Sequence, residues 1–133
     1  MIEYQGWATV REAYREADED QYRLEKIINE LQIRVKTILQ KTTASCFLEQ
    51  KNGVWRLVVF GNQNHITTEW LEVLDLFKWL ADAAPGSYGM LGIHDDESPK
   101  DKNEIVPYVL KKGTLVKMKD FYFSPYFEEV EEI

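Results

Sequence analysis

Residues 42–61, TTASCFLEQKNGVWRLVVFG, decide the fold of this 133-residue chain. Two runs rich in β-branched and aromatic residues, Thr42 to Gln50 and Val54 to Gly61, meet at Lys51-Asn52-Gly53. Asn-Gly tolerates the positive backbone angles that a two-residue hairpin turn demands, so the stretch reads as two antiparallel strands joined by a tight turn. Upstream, residues 2–11 alternate with period two and put Ile2, Tyr4, Ala8 and Val10 on one side, a first strand. Between that strand and the hairpin, Glu16, Asp18, Glu19 and Asp20 cluster where carboxylates favour the positive end of a helix dipole. From Leu24 onward, Ile27, Ile28, Leu31, Val35, Ile38 and Leu39 then hold one helical stripe, while Ile33 falls opposite and is expected to be exposed.

Downstream of the hairpin, residues 61–65 form a polar segment, and Thr67 or Thr68 can cap a second helix opening at Glu69-Trp70. Its stripe is Trp70, Val73, Leu74, Phe77, Leu80, Ala81 and Ala84, with Trp79 on the other side and Pro85-Gly86 as the stop. A strand is expected from Ser87 to His94, a charged loop from Asp95 to Asn103, and strands over 105–111 and 114–119 about a Lys112-Gly113 turn. The order strand, helix, strand, strand, helix, strand, with an extra hairpin arm, is the split βαβ arrangement. It predicts one α+β domain over 1–133, an antiparallel sheet of five to six strands with both helices packed on one face.

The chain carries 23 acidic and 16 basic residues, a net charge of −7, and is 44% apolar. A chain of this size buries roughly two thirds of its unfolded surface, enough for one core without staples. Its single cysteine, Cys46, excludes an internal disulfide and fits a reducing cytoplasm. Apolar runs are far shorter than the ~20 residues that span a bilayer, so the chain reads as a soluble cytoplasmic protein with no membrane partner. The acidity argues against nucleic acid as a ligand, since phosphate binders gain affinity from Lys and Arg. It points to a basic partner or to solubility alone.

Candidate chemistry is sparse. His94-Asp95-Asp96-Glu97 has the residue types to hold a hard cation as a small metal-dependent enzyme would, but the same run, before Ser98 and Pro99, is also what a solvated turn looks like. Cys46 lies mid-strand beside Phe47 and Leu48, the place of a buried inert thiol. Gly86-Ser87-Tyr88-Gly89 follows a helix and opens a strand, the reverse of a phosphate loop or nucleophile elbow. The reading is therefore a non-enzyme with no cofactor and no metal. Alternation puts Trp7, Tyr88 and Met90 on the sheet face away from the helices. Either the aromatic tail, Phe121 to Phe127, folds back over them as a second small core, or the face is a partner surface.

The residues carry a resemblance. Glu3-Tyr4-Gln5-Gly6-Trp7 with Arg11-Glu12, then Ala84-Pro85-Gly86-Ser87-Tyr88-Gly89-Met90-Leu91 running into Asp95-Asp96-Glu97, then Tyr108-Val109-Leu110 before Lys112-Gly113, and a closing Phe123-Ser124-Pro125, are similar to the immunity protein 7 family of bacterial polymorphic toxin systems. The resemblance implies an antitoxin that binds and blocks a cognate toxin domain, commonly a basic nuclease, by stoichiometric occlusion. Within that reading, Asp95, Asp96, Glu97, Glu128, Glu129, Glu131 and Glu132 are the steering charges, and Trp7, Tyr88 and Trp79 the anchors. The competing reading is an oligomeric adaptor or ligand-binding module that uses the open sheet face. Dimerisation through the sheet edge or face is compatible with either.

Overall fold

A computed structural model of the chain describes residues 1–64, 68–101 and 104–125. The Asn52-Gly53 turn forms as expected, with φ of 52° and 77°. It joins β2 (Ser45–Lys51) to β3 (Val54–Gln63), with Cys46 opposite Val59 and Phe47 opposite Val58. The first strand is β1 (Ile2–Val10), followed by α1 (Gln21–Lys41); after the hairpin come α2 (Thr68–Ala83) and β4 (Tyr88–Asp95), then β5 (Ile105–Lys111) and β6 (Thr114–Lys117).

The six strands make one sheet in the order β2-β3-β1-β4-β5-β6, and every neighbouring pair is antiparallel. α1 carries the chain from β1 past β3 to β2, and α2 carries it from β3 past β1 to β4. These are two interlocked split βαβ units, the arrangement the element order predicts, with β5 and β6 extending the sheet beyond β4. Ile2, Tyr4, Ala8 and Val10 of β1 are buried on the helix side together with Leu57, Val59, Leu91 and Leu110. α1 contributes Ile27, Ile28, Leu31, Val35 and Ile38, and α2 contributes Trp70, Val73, Phe77 and Leu80. Trp70 stands between Tyr4 and Tyr108, with ring centroids 5.7 and 6.0 Å away. At ~0.8 kcal/mol per buried methylene, this layer supplies most of the stabilisation that offsets chain entropy.

Several local expectations change. The acidic cluster lies just ahead of α1, as expected, but only its last residue contacts the helix end. Glu16–Asp18 form a short 3-10 turn, and Asp20 alone is the cap, its carboxylate accepting from the N–H groups of Tyr22 and Arg23 at 3.0 and 3.3 Å. Leu39 is exposed, because it lies 100° past Ile38 and turns off the stripe, whereas Ile33 is exposed as expected. Trp79 does not point away from the fold. It is half-buried and packs against the core, because α2 meets α1 as well as the sheet, and the same flank buries Leu76. β2 begins at Ser45 rather than Thr42, β3 runs on to Gln63 through the expected polar segment, and β6 ends at Lys117. The candidate cap Thr67 lies outside the described residues. No helix among them is long and apolar enough to cross a membrane.

Candidate functional site

With both helices on one face, the other face of the sheet is read directly from the strand register. Trp7 pairs with Val58 of β3 and Met90 of β4, and Thr9 pairs with Arg56 and Tyr88. Residues directly opposite each other in a ladder share a face, so these side chains stand together on the helix-free side. Phe47 and Phe60 extend the row towards the β2 edge, and Val109 and Val116 towards β6. Trp7 is 38% exposed, Tyr88 45% and Phe60 50%. The aromatic tail does not close this face into a second core as far as it is described. Phe121, Tyr122 and Phe123 are themselves largely exposed, and Tyr126 and Phe127 lie outside the described residues.

The centre of the face is organised around Trp7. Tyr88 meets it edge to face, at 6.3 Å between centroids and 89° between planes, and the Arg56 guanidinium lies over the indole at 5.4 Å. Such contacts hold aromatic rings in fixed poses while leaving much of their surface to solvent. Beside this cluster is a shallow concavity of about 440 Å³, lined by Thr9, Glu49, Lys51, Asn52, Val54, Arg56 and Tyr88. Thr9 is only 3% exposed, and its Oγ1 has no hydrogen-bond partner among the described residues.

Most of the Gly86-to-Gly89 block serves the fold. A Cβ on Gly86 would sit 2.2 Å from the Ala13 carbonyl, and one on Gly89 would sit 2.0 Å from the Trp7 carbonyl oxygen, so both glycines are required by backbone approach. Buried Ser87 accepts from the Arg11 N–H at 3.1 Å and pins the start of β4 to the end of β1. Buried Glu12 accepts from the Asp20 N–H at 2.9 Å and holds the approach to α1. Tyr88 alone of these projects from the fold onto the open face.

The other sequence candidates lie elsewhere. Asp95 Oδ1 accepts from the Glu97 N–H at 3.0 Å, closing a turn. Asp96 holds the Met1 ammonium at 2.6 Å, with Glu97 at 3.9 Å from it. The Asp96 hydrogen bond keeps that amine above its ordinary value, and the ammonium in turn holds the Asp96 carboxyl below its own. This loop is at the Ile2 end of the sheet, opposite the hairpin end that carries Thr9. Trp79 is on the helical layer with Arg34 over its ring at 4.5 Å, so the structure unites Trp7 with Tyr88 and leaves Trp79 apart. The tail acids Glu128, Glu129, Glu131 and Glu132 lie outside the described residues. Cys46 is buried, and desolvation pushes its thiol up to about 11. Among the described residues, no group of three or more His, Cys, Asp or Glu side chains is placed to hold a metal ion.

Sequence reasoning missed Arg56, Phe47 and Phe60. The hairpin turn was the available signal, since it fixes which residues of the two strands share the face with Val58.

Residues 1–132, essentially the whole chain, match the family profile described as Immunity protein 7. The chain belongs to the immunity protein 7 family. No curated protein and no solved structure matches it. Immunity proteins are the antitoxin partners of toxins, and the Immunity protein 7 family is not known as enzymatic. For this immunity protein, the features to explain are therefore a binding surface and its complement.

Proposed function

We propose that this immunity protein neutralises a cognate toxin domain of basic, nuclease type by stoichiometric occlusion, with the open face of the sheet as the docking surface. The observation that carries this reading is the exposed row of Phe60, Trp7 and Tyr88 on a face that neither helix covers. Five inter-strand spacings and the seven-residue rise from Ile2 to Thr9 make that face about 24 by 23 Å. It is on the scale of the ~800 Å² that each partner contributes to a standard interface. Trp7 and Tyr88 are the anchors, since aromatic residues beside a stacked arginine are the types that dominate binding energy. Asp95, Asp96 and Glu97, with the tail acids Glu128, Glu129, Glu131 and Glu132, act as steering charges at range.

The test is co-production with the toxin domain encoded by the neighbouring upstream gene. Rescue of growth, a 1:1 complex in light scattering, and toxin activity that falls linearly to zero at one equivalent are the expected results. Failure of both rescue and binding would sink the antitoxin reading. Inactivation far below one equivalent would sink occlusion. Reversing the charges of Asp95, Asp96 and Glu97 is expected to slow association and flatten its salt dependence, and unchanged kinetics would remove that loop from steering.

A further inference from the structure

We propose that the concavity beside Trp7 is the seat of a single carboxylate side chain from the toxin, an acidic contact within a partner that is otherwise basic. The inference rests on the antitoxin reading and names the chemistry of its central contact. Three observations converge on it. Thr9 Oγ1 is buried and without a hydrogen-bond partner among the described residues, a costly state that an incoming acceptor relieves. Arg56 lies over the Trp7 ring, and no ion pair to a carboxylate accompanies that stacking among the described residues. A guanidinium stacked on an aromatic face keeps its N–H edge available for planar, bidentate pairing with a carboxylate. The third observation is the charge of this end of the face: among the described lining residues Lys51 joins Arg56, and the one acid is Glu49, opposite Arg56 in the ladder and 3.7 Å from Lys51. A lysine or arginine from the partner would enter against a net positive charge, two cations to one carboxylate. A carboxylate instead meets Arg56 and the Thr9 hydroxyl as donors, with Tyr88 lining the concavity beside them.

The face is consequently bipolar. Its hairpin end is cationic at Lys51 and Arg56, and its other end runs into Asp95, Asp96 and Glu97, so a toxin with one acidic contact and a basic surround has a single favourable orientation.

The test uses the full chain and the catalytically inactivated toxin domain from the neighbouring upstream gene, with affinity by calorimetry and dissociation rate by surface-based kinetics. Thr9→Val keeps the shape and removes the hydroxyl. It is expected to leave the melting temperature of the free chain equal or higher while weakening binding about tenfold, mostly through faster dissociation. Arg56→Gln is expected to weaken binding about 100-fold, and Arg56→Lys to recover only part of that loss, because an ammonium cannot pair bidentately. In the double variant the losses are expected to be less than multiplicative, since both residues serve one partner group. Tight binding by the wild-type chain together with Thr9→Val and Arg56→Gln within twofold of it would overturn the inference and leave the antitoxin reading standing. A wild-type chain that neither binds nor rescues would overturn both. A dimer in light scattering that Thr9→Val or Arg56→Gln dissociates would also overturn the inference, by giving the seat to a second copy of the chain.

Discussion

Replacing Gly89 by alanine tests whether the glycine of the Ser87-Tyr88-Gly89 segment is structural. The new Cβ would lie 2.0 Å from the Trp7 carbonyl oxygen, 2.8 Å from Ala8 Cα and 2.9 Å from the Trp7 carbonyl carbon, all backbone atoms that no rotamer change can move. A carbon-to-oxygen contact sits near ~3.3 Å, so the strands must separate by about 1.3 Å. β1 is held on its other side by β3 and cannot simply yield. Overpacking strain of about 1–3 kcal/mol adds to the loss of about two ladder hydrogen bonds at ~0.5–1.5 kcal/mol each. Relief of the glycine's entropic penalty returns about 0.5–1 kcal/mol. The net cost is about 1–5.5 kcal/mol. At ~2.1 cal/mol/K per residue, unfolding this chain carries about 0.28 kcal/mol/K, so the melting temperature falls by about 4–20 °C. Thermal and urea unfolding followed by circular dichroism measure it. Tyr88→Ala, which removes an outward side chain and one edge-to-face contact, is expected to cost no more than ~1.5 kcal/mol. A Gly89→Ala loss below about 1 kcal/mol, or equal losses for the two variants, would refute the division of that segment into scaffold and surface.

Ser87→Ala leaves the Arg11 N–H without its side-chain acceptor in a buried setting and is expected to cost about 1–3 kcal/mol in urea unfolding, with exchange at the Arg11 amide rising more than at the centre of β1. The tail clamp has a definite pH sign. Burial acts to raise the Asp120 carboxyl, but hydrogen bonds from Ser124 Oγ and the N–H groups of Tyr122 and Phe123 outweigh it and hold it below its ordinary 3.8. The clamp's stabilisation is therefore present above 3.8 and is lost as pH falls through the lower folded value. Amide shifts of Tyr122 and Phe123 should move in that acid range, and Asp120→Asn should reproduce much of the change at neutral pH. Raising the Cys46 thiol from 9.0 to about 11 lowers its thiolate fraction roughly 100-fold near pH 8. An aromatic disulfide reagent should thus leave the native chain almost unlabelled and label it fully in denaturant, and native labelling at the rate of a free thiol would contradict the buried placement.

The fold was legible because its decisive signals are local. An Asn-Gly turn and an alternating strand need no distant partner to be read, and the element order then leaves few topologies. The face was half legible for the opposite reason. Alternation alone places Trp7 and Tyr88 away from the core, but Arg56 reaches Trp7 only through the pairing of β1 with β3, across 49 residues of chain. Trp79 illustrates a second limit, since a single stripe describes a helix that packs on one surface, whereas α2 rests on the sheet and against α1. The loop after His94 illustrates a third. Asp96 is drawn to the Met1 ammonium, 95 residues away in sequence, by the register of β1 with β4.

These placements alter what the net charge of −7 can do. Asp20 caps a helix, Glu12 and Asp120 accept backbone hydrogen bonds from buried positions, Glu69 accepts from the N–H and Oγ1 of Thr43, and Asp95 and Asp96 close a loop. Such acids still contribute to the far field that draws a basic partner in, because screening acts on separation and not on local hydrogen bonding. They are poor candidates for the contact itself, since breaking their existing bonds offsets what a new one gains. At contact the open face presents Arg56 and Lys51 at one end, about 23 Å from the acidic loop at the other. That exceeds the Debye length of ~8 Å at physiological salt, so the two ends act on a docking partner independently. Rising ionic strength should therefore slow association steeply, through the acids, while changing dissociation little, because the Arg56 and Thr9 contact is short-ranged.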